Sequence, residues 1–140
     1  FHRDFAAGRV LAQCMAKHFS GLPRPQALVP VPLHGGRLRQ RGYDQTLELA
    51  RPLAKALDLP LHARLLHRCK ATRAQSRLDA DARGRNLRGA FRVDTRATLP
   101  AHVALVDDVM TTGATLHAAA KALRAAGVAR IDAWVCARVA

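Results

Sequence analysis

The chain has 140 residues, 49% of them hydrophobic and 24% charged, which is typical of one globular domain and unlike a disordered chain. It shows no apolar run near the roughly 20 residues of a membrane span and no signal-peptide pattern, so we expect a cytoplasmic protein without a membrane association. The net charge of +13 favours an anionic partner, and three separated cysteines indicate free thiols rather than a disulfide framework.

The first part of the chain predicts a helix, a strand and a second helix. Apolar spacing predicts an amphipathic helix that ends near Ser20-Gly21, with a buried face of Leu11, Cys14, Met15, His18 and Phe19. The short apolar run Ala27–Val31 predicts a strand. Asp44 is expected to cap the second helix, whose apolar face comprises Leu47, Ala50, Leu53, Ala54 and Leu57. Pro52 inside that helix predicts a kink or a restart, because proline removes a backbone hydrogen bond.

The second part predicts four strands and one helix. The strands are expected at Ala63–Arg68, Gly89–Val93, His102–Val106 and Val128–Val139, and the helix at Ala114–Ala126 with Gly127 as its cap. Apolar strands that alternate with helices predict an α/β fold with a mostly parallel central sheet flanked by helices. Ligands bind such sheets outside the carboxyl ends of the strands. Trp134 is expected in the core.

The excess positive charge is concentrated in two segments. Residues 64–92 contain nine basic and two acidic residues, and Arg37, Arg39 and Arg41 add three more positive charges. The low apolar content of residues 69–89 predicts a long basic loop, and loops beyond roughly 15 residues in compact domains are usually functional or disordered. Because the charge is local, we expect it to serve a site.

The stretch VALVDDVMTTGATL, Val103–Leu116, places two carboxylates at the expected end of a buried strand. A desolvated carboxylate is costly unless something pairs with it, so Asp107 and Asp108 either face solvent or receive a ligand. The following turn offers backbone N–H groups at a helix N-terminus, and Gly113 lets the backbone approach an anion. A ribose with a 5′-phosphate satisfies both halves of the stretch.

Three motifs carry a family resemblance. VALVDDVMTTGAT resembles the 13-residue phosphoribosyl-pyrophosphate (PRPP) motif of type I phosphoribosyltransferases. VPVPLHGGRLRQRGYDQ and AQSRLDADARGRNLRGAF resemble two signatures of the ComF family, bacterial competence-associated phosphoribosyltransferase-like proteins. The resemblance implies the type I phosphoribosyltransferase fold with a flexible basic loop, as a single domain over residues 1–140. Many members carry an upstream four-cysteine, zinc-ribbon-like segment, which we expect to be absent from this chain, as in an N-terminally truncated one.

The resemblance also implies roles for individual residues. Asp107 and Asp108 are the expected catalytic residues and would hold the ribose hydroxyls, while the rest of the PRPP site comprises Met110, Thr111, Thr112, Gly113, Ala114 and Thr115. Pyrophosphate would meet Arg37 and Arg41, and the flexible loop would supply Lys70, Arg73, Gln75 and Arg83. Mg²⁺ is expected to bind through PRPP and water near the two aspartates, with no direct protein ligand. Some purine-specific relatives have an acidic residue at the position of Thr111, so no general base is visible there in this chain.

The implied reaction is Mg²⁺-dependent transfer of phosphoribosyl from PRPP to a nitrogen acceptor with release of pyrophosphate. The acceptor, turnover itself and a homodimeric state stay open. The alternative is a non-catalytic or regulatory protein of DNA uptake or repair that binds single-stranded DNA; the net charge favours it, whereas only 4% aromatic residues disfavour it. A dinucleotide- or nucleoside-triphosphate-binding enzyme is disfavoured because neither glycine-rich fingerprint is present. A zinc site at His62, His67 and Cys69 lacks a fourth ligand.

Overall fold

The computed structural model describes residues 5–32, 44–69, 89–110 and 112–139. In chain order these residues form α1 (Phe5–Phe19), β1 (Ala27–Pro30), α2 (Gln45–Leu57), β2 (Leu66–Arg68), β3 (Phe91–Val93), β4 (His102–Met110), α3 (Ala114–Ala126) and β5 (Arg130–Arg138). This is the element order that the sequence predicts. None of the helices among these residues combines the length and the apolar character needed to cross a membrane.

The main sheet has three parallel strands with β4 in the centre. β1 pairs with β4 from Ala27 opposite Val103, and β5 pairs with β4 from His102 opposite Arg130. The central position of β4 explains why its first half is a continuous apolar run, since a strand covered by helices on both faces needs no polar alternation. β2 and β3 form a separate antiparallel pair. The predicted α/β architecture with a mostly parallel sheet is confirmed.

Helices cover both faces of this sheet. Side chains along a strand point alternately to opposite faces. Accordingly Val103 and Leu105 pack in a cluster with Leu116 and Leu123 of α3, whereas Ala104 and Val106 belong to a cluster formed with α1 and α2. The small antiparallel sheet contributes to the α3 cluster. The two layers fix β4 from both sides, so the end of this strand is held in place.

The buried face of the first helix overlaps the predicted one only at Met15 and at the partly buried Phe19. Leu11 and Cys14 are exposed, whereas Ala12, Met15 and Ala16 are buried. The two alanines allow the helix to approach the neighbouring layer closely. The sequence prediction relied on the spacing of larger apolar side chains and therefore did not detect this face. Phe19 stacks on Trp134 with ring centroids 4.4 Å apart, and the prediction that Trp134 is a core residue is confirmed.

The second helix has the predicted cap but no restart at its proline. The backbone N–H of Leu47 donates to the Asp44 carboxylate at 3.1 Å, which confirms Asp44 as the N-cap. Of the predicted kink or restart at Pro52, the restart is wrong, because the helix runs without a break from Gln45 to Leu57, and the kink stays a prediction. Buried residues precede and follow the proline, namely Leu49 and Ala50 before it and Leu53 and Ala54 after it. Packing on both sides therefore offsets the lost hydrogen bond.

Strand boundaries differ from the sequence prediction in one consequential place. β4 continues through Met110, four residues beyond the predicted end at Val106. The extension is supported by β5, because Asp107 lies opposite Val135 and Val109 opposite Ala137. The two aspartates thus lie within a paired strand rather than after it, and their backbones are fixed by the sheet. β2 is shorter than predicted, whereas α3 and its Gly127 cap, with φ of 116°, match the prediction.

Candidate functional site

An open cleft lies at the carboxyl end of the central strand and forms a shallow cavity. It is lined by Asp107, Val109 and Met110 of β4 and by residues 112–116, which lead into α3. This is the edge of a parallel sheet where ligands are expected in this architecture. The cavity therefore joins the acidic part of the Val103–Leu116 stretch to its hydroxyl- and glycine-containing part.

The turn before α3 presents backbone donors to this cavity. Gly113 is the N-cap of the helix, has a left-handed φ of 83° and forms no side-chain cap hydrogen bond. The first four N–H groups of a helix have no partner within the helix, and the helix dipole adds partial positive charge there. The Thr112 hydroxyl accepts a hydrogen bond from the Ala114 N–H at 3.3 Å. The N–H groups that follow in the first turn are arranged to bind an anion such as phosphate.

The two carboxyl groups are held over the backbone of their own strand. The Asp108 N–H donates to Asp107 Oδ1 at 2.9 Å, and the Val109 N–H donates to Asp108 Oδ1 at 2.8 Å. Each carboxyl thus accepts the N–H of the residue that follows it, and the Asp108 carboxyl also acts on the neighbouring Asp107 carboxyl.

The pKa of Asp107 is raised from its ordinary value of 3.8 to about 7. Burial of the carboxyl is the largest cause, and the hydrogen bond and the negative charge of Asp108 act in the same direction. Hydrogen bonds from the Asp108 N–H and from Thr46 oppose the shift. At pH 7 without a ligand, the Asp107 carboxyl is thus about half protonated. Strongly shifted carboxyls that line a cavity are common at functional sites.

Thr46 is a site neighbour that the sequence analysis missed. Its hydroxyl lies 3.5 Å from Asp107 Oδ1, although the two residues are 61 positions apart in the chain. A signal existed, because Thr46 has helical spacing to the buried residues Leu49, Ala50 and Leu53 of α2. A polar residue on an otherwise apolar helix face requires a buried hydrogen-bond partner.

Two thiols lie on the side of the sheet away from α3. The pKa of Cys136 is raised, first by burial and then by the negative charge of Asp108. Cys14, Cys69 and Cys136 are all free, which confirms the prediction of unpaired thiols. The thiol of Cys136 thus stays protonated at neutral pH and acts as a small apolar group beside Asp108.

The predicted site residues fall into two groups. Of those that the structure describes, the residues that line the cavity are Asp107, Met110, Thr112, Gly113, Ala114 and Thr115, whereas Asp108 follows Asp107 in β4 and is not among the lining residues. The others lie outside the described residues: Thr111, the pyrophosphate residues Arg37 and Arg41, and the loop residues Lys70, Arg73, Gln75 and Arg83. The proximity of the first group is an observation, and the role of every residue in both groups stays a prediction.

The donor set at the cavity fits a magnesium ion that is bound mainly by ligand and water. The described part of the chain contains no group of three or more His, Cys, Asp or Glu side chains able to hold a metal ion. Mg²⁺ in phosphate-binding sites usually keeps several waters and takes one or two carboxylates together with substrate phosphates. Asp107 and Asp108 are sufficient for that arrangement and insufficient for an all-protein site.

Comparison with known proteins defines the class to which this fold and site belong. The model of the phosphoribosyl transferase domain matches residues 7–140, and the chain belongs to this family. Glutamine PRPP amidotransferase from B. subtilis, solved as a complex with ADP and GMP, superposes with a TM-score of 0.64 at 17% identity. The match covers 94% of this chain and 26% of that one. It shows the fold alone, and it confirms the type I phosphoribosyltransferase fold.

Within this class the chain lies in the ComF branch that its motifs indicate. Competence protein F of Haemophilus influenzae is 39% identical over 146 residues, covering 99% of this chain and 64% of that protein. A DNA utilization protein, YhgH, of Salmonella typhi is 38% identical over 138 residues, covering 95% of this chain and 59% of that protein. The chain spans about three fifths of the length of these relatives.

Proposed function

We propose that this domain binds PRPP with Mg²⁺ and transfers its phosphoribosyl group to a nitrogen acceptor, releasing pyrophosphate. The observation that carries the proposal is the single cavity lined by Asp107, by the Gly113 turn and by the N-terminus of α3. Carboxylates accept hydrogen bonds from sugar hydroxyls, and helix N-terminal amides donate to phosphate. A sugar phosphate supplies both partners within one molecule.

The residues of the chain would orient the sugar and leave its reacting carbon open. The 5′-phosphate would lie against the amides of the α3 N-terminus, and Asp107 and Asp108 would accept hydrogen bonds from the ribose 2′- and 3′-hydroxyls. Binding at two points fixes the ring and lowers the entropic cost of reaching the transition state. Charge that develops on the leaving pyrophosphate would be stabilised by Arg37 and Arg41 and by bound Mg²⁺, which supplies positive charge.

The raised pKa of Asp107 has a direct consequence for this binding mode. A protonated carboxyl donates one hydrogen bond and has a weaker acceptor, whereas an ionised carboxylate accepts from both hydroxyls. A ligand that brings hydroxyl donors and a magnesium ion to the pair therefore favours the ionised form. Binding should lower the pKa of Asp107 from about 7 and release its proton.

Calorimetric titration with PRPP and Mg²⁺ tests the proposal. The native protein should bind, and the double variant Asp107→Asn/Asp108→Asn should not, because neutral amides offer weaker acceptors and attract no magnesium. Asp132→Asn is the matched control, since Asp132 lies beside His102 and Arg130 where β4 and β5 begin, at the opposite end of β4. A screen of nucleobases for pyrophosphate release then identifies the acceptor. No heat with millimolar PRPP would overturn the proposal, and heat without release from any base would indicate a regulatory PRPP site.

A second candidate function is binding of single-stranded DNA. It is supported by the net charge of +13 and by the names of the relatives, which concern competence and DNA utilization. Affinity for DNA should fall steeply with salt and persist in the double aspartate variant, because phosphate contacts release counterions and need no carboxylate. Affinity for PRPP should instead require both aspartates. The two functions are thus separable in one set of variants.

We place the protein in the cytoplasm, where its free thiols fit a reducing environment. A homodimer is a further part of the proposal that gel filtration with light scattering would decide.

A further inference from the structure

Thr46 is the only fully buried polar residue in the part of the chain that the structure describes, with 4% of its surface exposed. It lies in the first turn of α2, on the face that packs against the sheet, beside Leu49 and Ala50. Burial of a hydroxyl without a partner costs free energy, so such groups are almost always hydrogen-bonded. A valine would fill this space without that requirement. The presence of threonine rather than valine therefore indicates that its hydroxyl makes a hydrogen bond with a role in the structure or the site.

The hydroxyl is directed at the carboxyl that lines the cavity. Thr46 Oγ1 lies 3.5 Å from Asp107 Oδ1, which also accepts the Asp108 N–H at 2.9 Å. The Thr46 contact is at the long limit for a hydrogen bond, and such contacts in ligand-free sites commonly shorten when the ligand binds. Two donors on the same oxygen restrict rotation of the carboxyl. The second oxygen, Oδ2, is thereby left for a ligand.

We propose that Thr46 is a positioning residue, which holds Asp107 Oδ1 toward α2 so that Oδ2 meets a sugar hydroxyl in the cavity. The inference rests on the proposed function for the identity of the ligand, and on the structure alone for the contact. Thr46 touches the carboxyl and not the cavity, because the lining comes from β4 and from residues 112–116. Its effect on a ligand is thus indirect, through Asp107.

The contact also joins two segments that are distant in sequence. Thr46 follows the Asp44 cap by two residues, and Asp44 follows Arg41 by three. The start of α2 therefore lies next to the end of β4 through a side-chain contact as well as through apolar packing. Among the groups that shift the pKa of Asp107 most, Asp108 of the same strand is the charged one, and α2 contributes the neutral Thr46.

The test compares Thr46→Val with Thr46→Ser. Valine keeps the shape of the side chain and removes the hydroxyl, whereas serine keeps the hydroxyl and loses a methyl group. Three quantities are measured for each variant: the midpoint of urea unfolding, the titration of the Asp107 side-chain carboxyl by ¹³C NMR in the ligand-free protein, and the Kd for PRPP with Mg²⁺. A residue that only fills space would change the first quantity and leave the other two unchanged.

We expect Thr46→Val to raise the pKa of Asp107, because the Thr46 hydrogen bond lowers it, and to weaken PRPP binding by about fivefold, the factor expected for one hydrogen bond. Thr46→Ser should restore both quantities to near their native values. An unchanged carboxyl titration and Kd in a folded Thr46→Val variant would overturn the inference.

The outcome separates this inference from the proposed function. If the native protein does not bind PRPP, the proposed function fails, yet a carboxyl titration that moves in Thr46→Val and returns in Thr46→Ser still supports positioning by Thr46. If the native protein binds PRPP and neither variant differs from it, the proposed function stands and positioning by Thr46 is overturned. If Thr46→Val does not fold, Thr46→Ser tests the inference. Loss of PRPP binding in this variant, which retains the hydroxyl, would contradict positioning by Thr46.

Discussion

Replacing Asp107 with asparagine should stabilise the folded protein at alkaline pH. The native carboxyl has a pKa of about 7, against 3.8 for the ordinary value that the unfolded chain adopts. Between these two values the folded state holds a proton that the unfolded state has lost. Native stability therefore falls as pH rises through this window, and the full penalty is present above pH 7. Asparagine cannot ionise and removes the penalty.

The magnitude follows from the size of the shift. A difference of about three pKa units corresponds to about 4 kcal/mol of lost stability above pH 7, and to about 1.5 kcal/mol at pH 5. The gain in free energy of unfolding from Asp107→Asn should thus be larger at pH 8 than at pH 5 by up to about 2–3 kcal/mol. This is an upper bound, because an ionised carboxylate can turn toward water. Hydrogen bonds made equally by asparagine cancel in the comparison.

Urea unfolding of the native protein and of the variant at both pH values measures the effect. Asp132→Asn serves as the control. Burial alone would raise the pKa of Asp132, but hydrogen bonds from His102 and Arg130 outweigh burial and lower it, so this carboxyl is ionised in both states throughout the range. Its replacement should destabilise the protein at pH 8. An equal gain in the free energy of unfolding from Asp107→Asn at pH 5 and at pH 8 would refute the raised pKa of Asp107.

The helix ends and the carboxyl pair support four further predictions. Asp44→Ala should lower the free energy of unfolding by about 1 kcal/mol, because the Leu47 N–H loses its cap, and a native urea midpoint would contradict this. Gly113→Ala should cost about 1–2 kcal/mol, because its φ of 83° strains any residue with a Cβ, and it should weaken PRPP binding. Gly127→Ala, at the other end of α3 where φ is 116°, should lower stability but leave PRPP binding unchanged. If Gly113→Ala and Gly127→Ala weakened PRPP binding equally, the loss of binding would not arise at the cavity. Binding of PRPP at pH 7 should release a proton from Asp107, so the heat of binding should differ between buffers of different ionisation enthalpy, and equal heats would exclude the coupling.

Most of the fold follows from local patterns in the sequence. The helix Ala114–Ala126 and its Gly127 cap are readable because helical spacing and a terminal glycine are local signals. The end of β4 at Met110 cannot be predicted in this way, because pairing with β5 extends the strand past the apolar run. The uninterrupted helix across Pro52 also depends on packing, which outweighs the intrinsic preference of one residue.

The same division applies to the site. Sequence alone determined that two aspartates precede a turn with threonines and glycine, and that this order suits a sugar phosphate, since backbone donors and neighbouring carboxyls are set by the local chain. Tertiary structure decided that Asp107 is buried enough to hold a proton near neutral pH and that Thr46 approaches it from another helix. Burial and contacts between distant residues depend on how layers pack, and packing sums many weak interactions that no local pattern records.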